Sequence, residues 1–147
     1  TGLGARYRDE SAAASLSCMT RVSGKAEIVR AALDCIAYQI TDLVLAMEQD
    51  TGIPMRELRV DGGPARNRYL MQFQSDISGK TLKIPQAEEL SGIGAAYMAG
   101  ISAGLYSEEE LFSGWEGSIF TPSMDVNVRR EKLNGWKKAV AGVLDHT

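Results

Sequence analysis

The sequence predicts an α/β fold in which helices flank a largely parallel sheet. Short stretches of strand-like composition alternate with longer stretches whose apolar residues recur every three or four positions. A strand, helix, strand order of this kind requires crossover connections, which produce parallel strands covered by helices. The 147 residues are enough for one self-supporting core, and no linker, repeat or low-complexity tract divides them. We therefore expect a single domain.

The first regular elements are predicted to be a short strand and a long helix. Residues 14–20 alternate small polar with apolar side chains, which favours a strand. From Lys25 to about Asp50, apolar residues fall at helical steps and form one stripe that we expect to be buried. The stripe consists of Ile28, Ala32, Cys35, Ile36, Ile40, Leu43, Val44 and Met47. Gly52 is expected to end this helix as a left-handed cap, with Pro54 just beyond it.

The middle of the chain predicts two strands separated by a helix. Residues 58–61 are typical of a short strand, two glycines stop it, and Pro64 lies where the first helical residue is expected. Gly79 is the expected C-terminal cap of that helix, and residues 81–85 form the next strand. The buried side of the helix is predicted to consist of Tyr69, Leu70, Phe73 and Ile77.

The last part of the chain is predicted to be mainly helical. Residues 91–105 form a helix of small residues, whose spacing predicts close packing on the sheet or on a neighbouring helix. The small residues four positions apart are Gly92, Ala96, Gly100 and Gly104. Residues 107–110 are expected to begin a further short helix, residues 118–122 a loop or edge strand, and residues 126–144 an amphipathic terminal helix.

Composition and charge exclude several functional classes. The net charge of −3 lacks the basic excess that binding to a nucleic-acid backbone requires. Cys18 and Cys35 are too few for a disulfide scaffold, and His146 is the only histidine, so a zinc cage and a His-based triad lack parts. No apolar run is long enough to span a membrane. We expect a cytoplasmic protein that binds neither nucleic acid nor membrane.

Two phosphate-binding patterns are interpreted as structural. Residues 78–81 contain the Gly-Lys-Thr of a P-loop, but the first glycine of that motif is replaced by Gln74 and a strand follows instead of a helix. Residues 92–94 begin a dinucleotide-binding pattern, but its third glycine is replaced by Tyr97. We interpret the first as a helix cap that runs into a strand and the second as part of a packed helix.

The segment from Asp61 to Asn67 is the strongest candidate for a ligand site. A strand that ends in two glycines before a helix leaves its backbone uncovered, so a planar or anionic ligand can approach it. Ligands of parallel sheets lie at such carboxyl ends. Gly63 would then lie against a nucleotide, and Asn67, one turn into the helix, would offer its amide. The alternative is a tight strand-to-helix turn with a solvated Asn.

The remaining polar and aromatic candidates are expected to have structural roles. Tyr38 and Gln39 on the long helix are expected to lie at an interface or at the edge of the core. Asp76 is interpreted as a helix-end carboxylate, because no partner that would perturb it can be named. The basic pairs at 129–130 and 137–138 are interpreted as solvated faces of the terminal helix.

Seven strings, in this order and spacing, resemble the C-terminal domain of the FGGY carbohydrate kinases. They are Gly-Leu-Gly-Ala at 2–5, Met-Thr-Arg at 19–21, the run 26–39 that ends in Cys-Ile-Ala-Tyr-Gln, and the segments at 61–67, 70–77, 94–100 and 135–138. Each string alone is weak, whereas seven in register are highly specific. The resemblance covers nearly the whole chain, residues 1–147, which would be such a domain truncated at its N-terminal side.

The resemblance implies a partial actin-like ATPase domain of RNase H-like fold that supplies the adenosine end of an ATP site. On the matching positions Gly62, Gly63 and Asn67 would contact ATP or ADP, and Asp61 would shape the turn. The full-length enzyme would phosphorylate a sugar or polyol of the glycerol or pentulose class, with Mg²⁺ bound mainly through the phosphates and the domain that is absent here.

The same resemblance implies that this chain carries no catalytic residue and no metal ligand, because the family's phosphate loop and its catalytic carboxylate have no match here. We therefore expect the chain alone to be inactive, and we expect a homo-oligomer because a former domain interface would be exposed. The alternative function is a non-catalytic, actin-like module that binds nucleotide or partner proteins.

Overall fold

The computed structural model describes residues 3, 4, 7, 9–86, 90–105, 107 and 117–144. Its elements follow in this order: α1 (Lys25–Thr51), β1 (Glu57–Arg59), a 3₁₀ turn (Gly63–Arg66), α2 (Arg68–Ser78), β2 (Thr81–Pro85), α3 (Leu90–Ser102), β3 (Gly117–Phe120) and α4 (Val126–Leu144). The bounds predicted for α1, β2 and α4 are confirmed to within one residue. The helix predicted to begin at 107–110 falls on residues 108–110, which lie outside the described part of the chain.

The described strands form a small mixed sheet in the order β1-β2-β3. β1 and β2 are parallel, with Leu58 opposite Leu82, whereas β2 and β3 are antiparallel, with Leu82 opposite Phe120. The α/β class is confirmed, but a largely parallel sheet is wrong for these strands. The reason is that β3 starts beside the end of β2, with Gly117 opposite Pro85, and so runs back along it. A loop or an edge strand was predicted for residues 118–122, and β3 is an edge strand of this sheet.

The strand predicted at residues 14–20 is absent from the structure. Cys18 has a φ of 61°, which is incompatible with extended backbone, and the segment is exposed, with Leu16 at 60%. A strand needs a neighbouring strand to satisfy its backbone hydrogen bonds, and within the described residues no strand lies beside residues 14–20. Thr20 and Ser23 instead form a turn, in which the Thr20 amide donates to Ser23 Oγ at 2.9 Å, and this turn leads into α1.

Helix α1 begins at Lys25 and ends before the cap residue Gly52, as expected, but it buries a different face from the predicted one. Gly24 is its N-cap, where the Gly24 amide donates to the Glu27 carboxylate, and Gly52 is its left-handed C-cap with φ 67°. The buried residues of α1 are Ala37, Thr41, Asp42 and Val44. Of the predicted stripe only Val44 is buried, whereas four of its large apolar side chains, which share the neighbouring face of the helix, remain 42–49% exposed. These exposed residues are Ile36, Ile40, Leu43 and Met47, and we call them the open face of α1.

The core lies where α1, α2 and the sheet meet. Its buried members are Ala37, Ala65, Leu70, Met71, Phe73, Ile77, Leu82 and Phe120. The predicted buried side of α2 is confirmed except for Tyr69, which is 39% exposed. Tyr38 lies at the edge of this core, as expected, because its ring stacks on Trp136 at 5.2 Å and meets the Phe73 ring edge-on at 5.6 Å.

Helix α3 forms as predicted, and its small residues differ in exposure, because Gly100 is buried whereas several others are exposed. Ala95, Ala96 and Ala99 are exposed, and a Cβ added at Gly92 or Gly94 would meet open space. Small residues allow close packing only when another element lies against them. The burial of Gly100 agrees with close packing at one of the predicted positions, and packing at the other positions stays a prediction.

The turn after α2 confirms that the P-loop-like string is a helix cap that runs into a strand. It also shows that Arg129, which was expected to be solvated, contacts this turn. Gly79 caps α2 with φ 68°, and β2 begins at Thr81. The guanidinium of Arg129 lies so close to Gly79 that a side chain there would clash with it. Arg129 is therefore half-buried against the C-terminal end of α2, where a cation is favoured by the helix dipole, and is not simply solvated.

Asp76 has the structural role that the sequence suggested. Its Oδ1 atom accepts hydrogen bonds from the amides of Ser123 at 2.6 Å and Met124 at 3.2 Å, and from Gln72 Nε2 at 3.0 Å. The carboxylate thereby fixes the loop between β3 and α4 against α2.

Candidate functional site

The candidate site is the turn that joins β1 to α2. The pairing of β1 with β2 extends to Val60, whose amide donates to the Lys83 carbonyl at 3.0 Å. Gly62 then adopts φ 96° and ψ 173°, a conformation that is essentially restricted to glycine. Its carbonyl accepts from the Ala65 amide at 3.0 Å. The first glycine of the pair is therefore required by the turn itself.

The second glycine leaves the backbone open to a ligand. No heavy atom of the described chain lies within 4 Å of a Cβ placed on Gly63, apart from its own neighbours in sequence. Gly63 is also exposed. A side chain at this position would occupy the space that a ligand needs in order to reach the main chain.

Asn67 is the N-cap of α2 and does not lie within a helix that begins at Pro64. Pro64 starts a short 3₁₀ turn instead, because its fixed φ suits either kind of helix and the chain tightens before α2 begins. Asn67 Oδ1 accepts from the Leu70 amide at 3.1 Å. Because the cap uses the oxygen, the Nδ2 group is the donor that this half-buried side chain can offer to a ligand.

The charges around the turn favour an anionic ligand. The first turn of α2 contains no acidic side chain, and the partial positive charge of the helix N-terminus lies next to Asn67. Arg66 and Arg68 flank Asn67 on either side and are exposed. Asp61 is the only carboxylate within residues 60–68.

A polar cluster beside the turn was missed by the sequence analysis. The Tyr69 hydroxyl donates to Asp34 Oδ1 at 2.6 Å and accepts from Arg30 Nε at 2.8 Å. Partial burial and the hydrogen bond to Asp34 raise the pKa of Tyr69 above its ordinary value. The four-residue spacing of Arg30 and Asp34 was visible as an intrahelical pair, but nothing in the sequence placed Tyr69 against it.

Two cavities lie near α1, and neither is lined by the glycine turn. One of about 570 Å³ lies over the first half of α1 and has Tyr69 as its wall on α2. The other, of about 210 Å³, lies farther along α1 and includes Tyr7, Gln39 and Asp42 in its lining. The exposed Gln39, expected at an interface or core edge, donates through Nε2 to Cys35 Sγ. Gly62 and Gly63 of the glycine turn are both exposed.

The structure offers no other obvious chemistry within its described ranges. There, no group of three or more His, Cys, Asp or Glu residues is arranged to hold a metal ion. Cys18 and Cys35 are both free thiols. Among the helices of the described segments, none is both long and apolar enough to cross a membrane.

Comparison with protein families identifies the relatives of this chain. Residues 1–103 match the model of the C-terminal domain of the FGGY family of carbohydrate kinases. The chain belongs to the FGGY family. A glycerol kinase of Petrotoga mobilis is 48% identical over 141 residues, and one of Clostridium botulinum strain 657 is 42% identical over 146 residues.

The match covers nearly all of this FGGY chain but a minor part of each relative. It spans 95% of this chain and 28% of the Petrotoga mobilis protein, and 98% of this chain and 29% of the Clostridium botulinum one. The chain therefore spans less than a third of the length of these curated relatives.

In the solved structures, too, the match covers most of this chain but less than a third of each neighbour. The structure of Plasmodium falciparum glycerol kinase with ADP is 33% identical and superposes with a TM-score of 0.87, over 97% of this chain and 29% of that one. Xylulose kinase from Rhodospirillum rubrum, at 20% identity and a TM-score of 0.71, shares the fold over 87% of this chain and 27% of its own. The FGGY fold is thus confirmed, while the roles of Gly62, Gly63 and Asn67 remain predictions.

Proposed function

We propose that this chain is the nucleotide-binding part of an ATP-dependent carbohydrate kinase. The whole enzyme would transfer the γ-phosphate of ATP to a hydroxyl of a sugar or polyol, and the 48% identity to a glycerol kinase favours glycerol over a pentulose. The observation that carries the proposal is the open glycine turn followed directly by the capped N-terminus of α2. A structural neighbour with 33% identity was solved with ADP, which supports nucleotide as the ligand.

In this proposal Gly62, Gly63 and Asn67 contact ATP or ADP. The residues fit such a ligand, because a Cβ on Gly63 would fill the approach to the main chain and Asn67 retains a donor group after capping α2. The positive end of α2 and the exposed Arg66 and Arg68 favour a polyanion. Asp61 lies at the entrance of the turn and shapes it.

Within the described residues no group of three or more His, Cys, Asp or Glu side chains is arranged to hold Mg²⁺. Phosphoryl transfer depends on positioning and on neutralising the phosphates between several groups, with a base or orienting residue for the acceptor. We therefore propose that Mg²⁺, the acceptor and the catalytic base are held by the remainder of a longer enzyme. The chain alone should not phosphorylate glycerol or xylulose.

We place the protein in the cytoplasm, with ATP and a small sugar or polyol as its ligands and with no binding to nucleic acid or membrane. The open face of α1 exposes four large apolar side chains in a row, which favours association with a second copy of the chain. A homo-oligomer is therefore proposed.

A chimera tests the kinase proposal. The 147 residues would replace the matching segment of the Petrotoga mobilis glycerol kinase, and ATP-dependent phosphorylation of glycerol would be measured. We expect an active chimera, and Gly63→Val should raise its KM for ATP about tenfold or more because the side chain blocks the open backbone. A folded but inactive chimera would favour the non-catalytic module, whereas an unchanged KM in Gly63→Val of an active chimera would argue against nucleotide contact at Gly63.

A further inference from the structure

We propose that Tyr69 is a positioning residue for the nucleotide turn, which it holds by joining the first turn of α2 to α1. This inference rests on the function proposed above, because it assigns a role relative to the contacts at Gly63 and Asn67. Tyr69 itself would not touch the nucleotide.

The phenol of Tyr69 is held from both sides by α1. Its hydroxyl donates to Asp34 Oδ1 at 2.6 Å and accepts from Arg30 Nε at 2.8 Å, and both partners lie one helical turn apart on α1. The Arg30 Nε and Asp34 Oδ2 atoms are 3.8 Å apart, so the two partners also form an ion pair. Bonds to charged groups are the stronger and more directional kind, so the hydroxyl is fixed in position.

The ring of Tyr69 is fixed as firmly as its hydroxyl. It stacks nearly parallel on the Phe73 ring, with centroids 6.1 Å apart and an angle of 6°. Phe73 is a core residue with 5% exposure, and it contacts Tyr38 of α1 edge-on. The Arg30 guanidinium lies 5.5 Å from the centre of the Tyr69 ring, within the range of a cation–π contact.

A continuous series of hydrogen bonds links this anchored turn to the glycines. Tyr69 is the second residue of α2, directly after the cap that joins Asn67 Oδ1 to the Leu70 amide. The Asn67 amide donates to the Pro64 carbonyl at 3.0 Å, and the Ala65 amide donates to the Gly62 carbonyl at 3.0 Å. A rotation of the first turn of α2 therefore moves both proposed contacts, Gly63 and Asn67.

The cluster of Arg30, Asp34 and Tyr69 is suited to orient the nucleotide turn and contributes little to overall stability. Tyr69 is 39% exposed and the Arg30 side chain 61% exposed, and polar contacts at such positions add little to the free energy of unfolding. Gly62 and Gly63 are exposed, and the turn that carries them is closed by the hydrogen bonds of the Ala65 and Asn67 amides. The bonds from Tyr69 to α1 add a tie that fixes the first turn of α2 and, through it, the orientation of the two glycines.

The test removes the hydroxyl and keeps the ring. In Tyr69→Phe, which loses both hydrogen bonds of the hydroxyl to charged groups, ADP affinity of the 147-residue chain should fall about three- to tenfold. Amide hydrogen exchange at Ala65 and Asn67, whose amides close the turn, should become faster when followed by NMR, while the thermal midpoint changes little. The matched control is Tyr7→Phe, which removes a phenol bond to Asp42 elsewhere on α1 and should leave ADP affinity unchanged.

Variants of the acceptor separate positioning from a general loss of structure. Asp34→Asn keeps an oxygen that can accept from Tyr69 and should behave nearly as the unmodified chain. Asp34→Ala should reproduce Tyr69→Phe, and the double variant should be no worse than either single one. Unchanged amide exchange and ADP affinity in both Tyr69→Phe and Asp34→Ala would overturn the inference while leaving the proposed function intact. If the unmodified chain does not bind ADP, the proposed function fails and this inference fails with it.

Discussion

Trp136 Nε1 of α4 donates a hydrogen bond to Asp42 Oδ2 of α1 across 2.7 Å. Asp42 is only 2% exposed, and the same oxygen accepts from the Tyr7 hydroxyl at 3.0 Å. A single buried carboxylate therefore joins the N-terminal segment, the long helix and the terminal helix. Because Tyr38 stacks on Trp136 beside this bond, aromatic packing and hydrogen bonding hold α4 at one point.

Trp136→Phe should lower the free energy of unfolding by about 1–3 kcal/mol, because a buried carboxylate loses one of its donors. The phenyl ring keeps part of the stacking on Tyr38. Urea denaturation followed by circular dichroism measures the difference. Lys137→Ala, at the exposed neighbouring position on α4, is the control and should change stability by less than about 0.5 kcal/mol. Equal stability of the Trp136→Phe and control variants would contradict the role of this bond.

Glu48→Gln should destabilise the chain at neutral pH and have less effect in acid. The Glu48 carboxylate accepts from Lys80 Nζ and from the Met55 amide, and these bonds hold its pKa below the ordinary value of 4.5. A lowered folded-state pKa gives stability that is present above the unfolded pKa and is lost as pH falls through the folded one.

Urea midpoints at pH 7 and at pH 3 measure this effect. The difference between the unmodified chain and Glu48→Gln should shrink at the lower pH. Glu131→Gln, an exposed position on α4, serves as the matched control at both pH values. A difference that stays the same or grows in acid would refute the prediction.

The two glycines of the turn should respond differently to alanine. Gly62→Ala should cost about 1–3 kcal/mol of stability, because φ 96° with ψ 173° is strained for any residue with a side chain. Gly63→Ala should change stability by less than about 0.5 kcal/mol, because open space surrounds that position. Thermal denaturation of both variants decides the point, and a reversed order of stability would mean that the turn is built differently.

The open face of α1 should make the isolated chain self-associate. Light scattering at increasing concentration should give a mass above the monomer's 15.9 kDa. Ile40→Lys places a charge in the middle of that face and should shift the mass towards the monomer. Val22→Lys, at a position 88% exposed outside α1, is the control and should have no effect. A monomer at high concentration in the unmodified chain would argue against association through this face.

Local sequence patterns predicted the elements better than they predicted the packing. The spacing of apolar residues located α1 and α4, and Gly52 and Gly79 ended helices as expected, because caps depend on the residue itself. The buried face of α1 was missed because Thr41 and Asp42 are polar. They are buried because Gln74 and Trp136, 33 and 94 residues away, bond to them.

In the candidate site, too, one local feature was predictable from the sequence, whereas the capping and the long-range contact were not. The open backbone at Gly63 follows from a glycine pair at a strand end and was predictable. The capping role of Asn67 was not, because a 3₁₀ turn separates Pro64 from α2. The bridge from Tyr69 to α1 spans 39 residues to Arg30, and no local pattern announces a contact at that separation.

Calorimetric titration with ADP tests the central claim most directly. Asn67→Ser is the informative variant, because serine can still cap α2 but lacks the amide donor proposed to meet the nucleotide. Asn134→Ala, exposed on α4, is the matched control. We predict binding to the unmodified and control chains, and an affinity about tenfold weaker in Asn67→Ser. No heat from the unmodified chain, or equal affinity in Asn67→Ser, would contradict a nucleotide site at this turn.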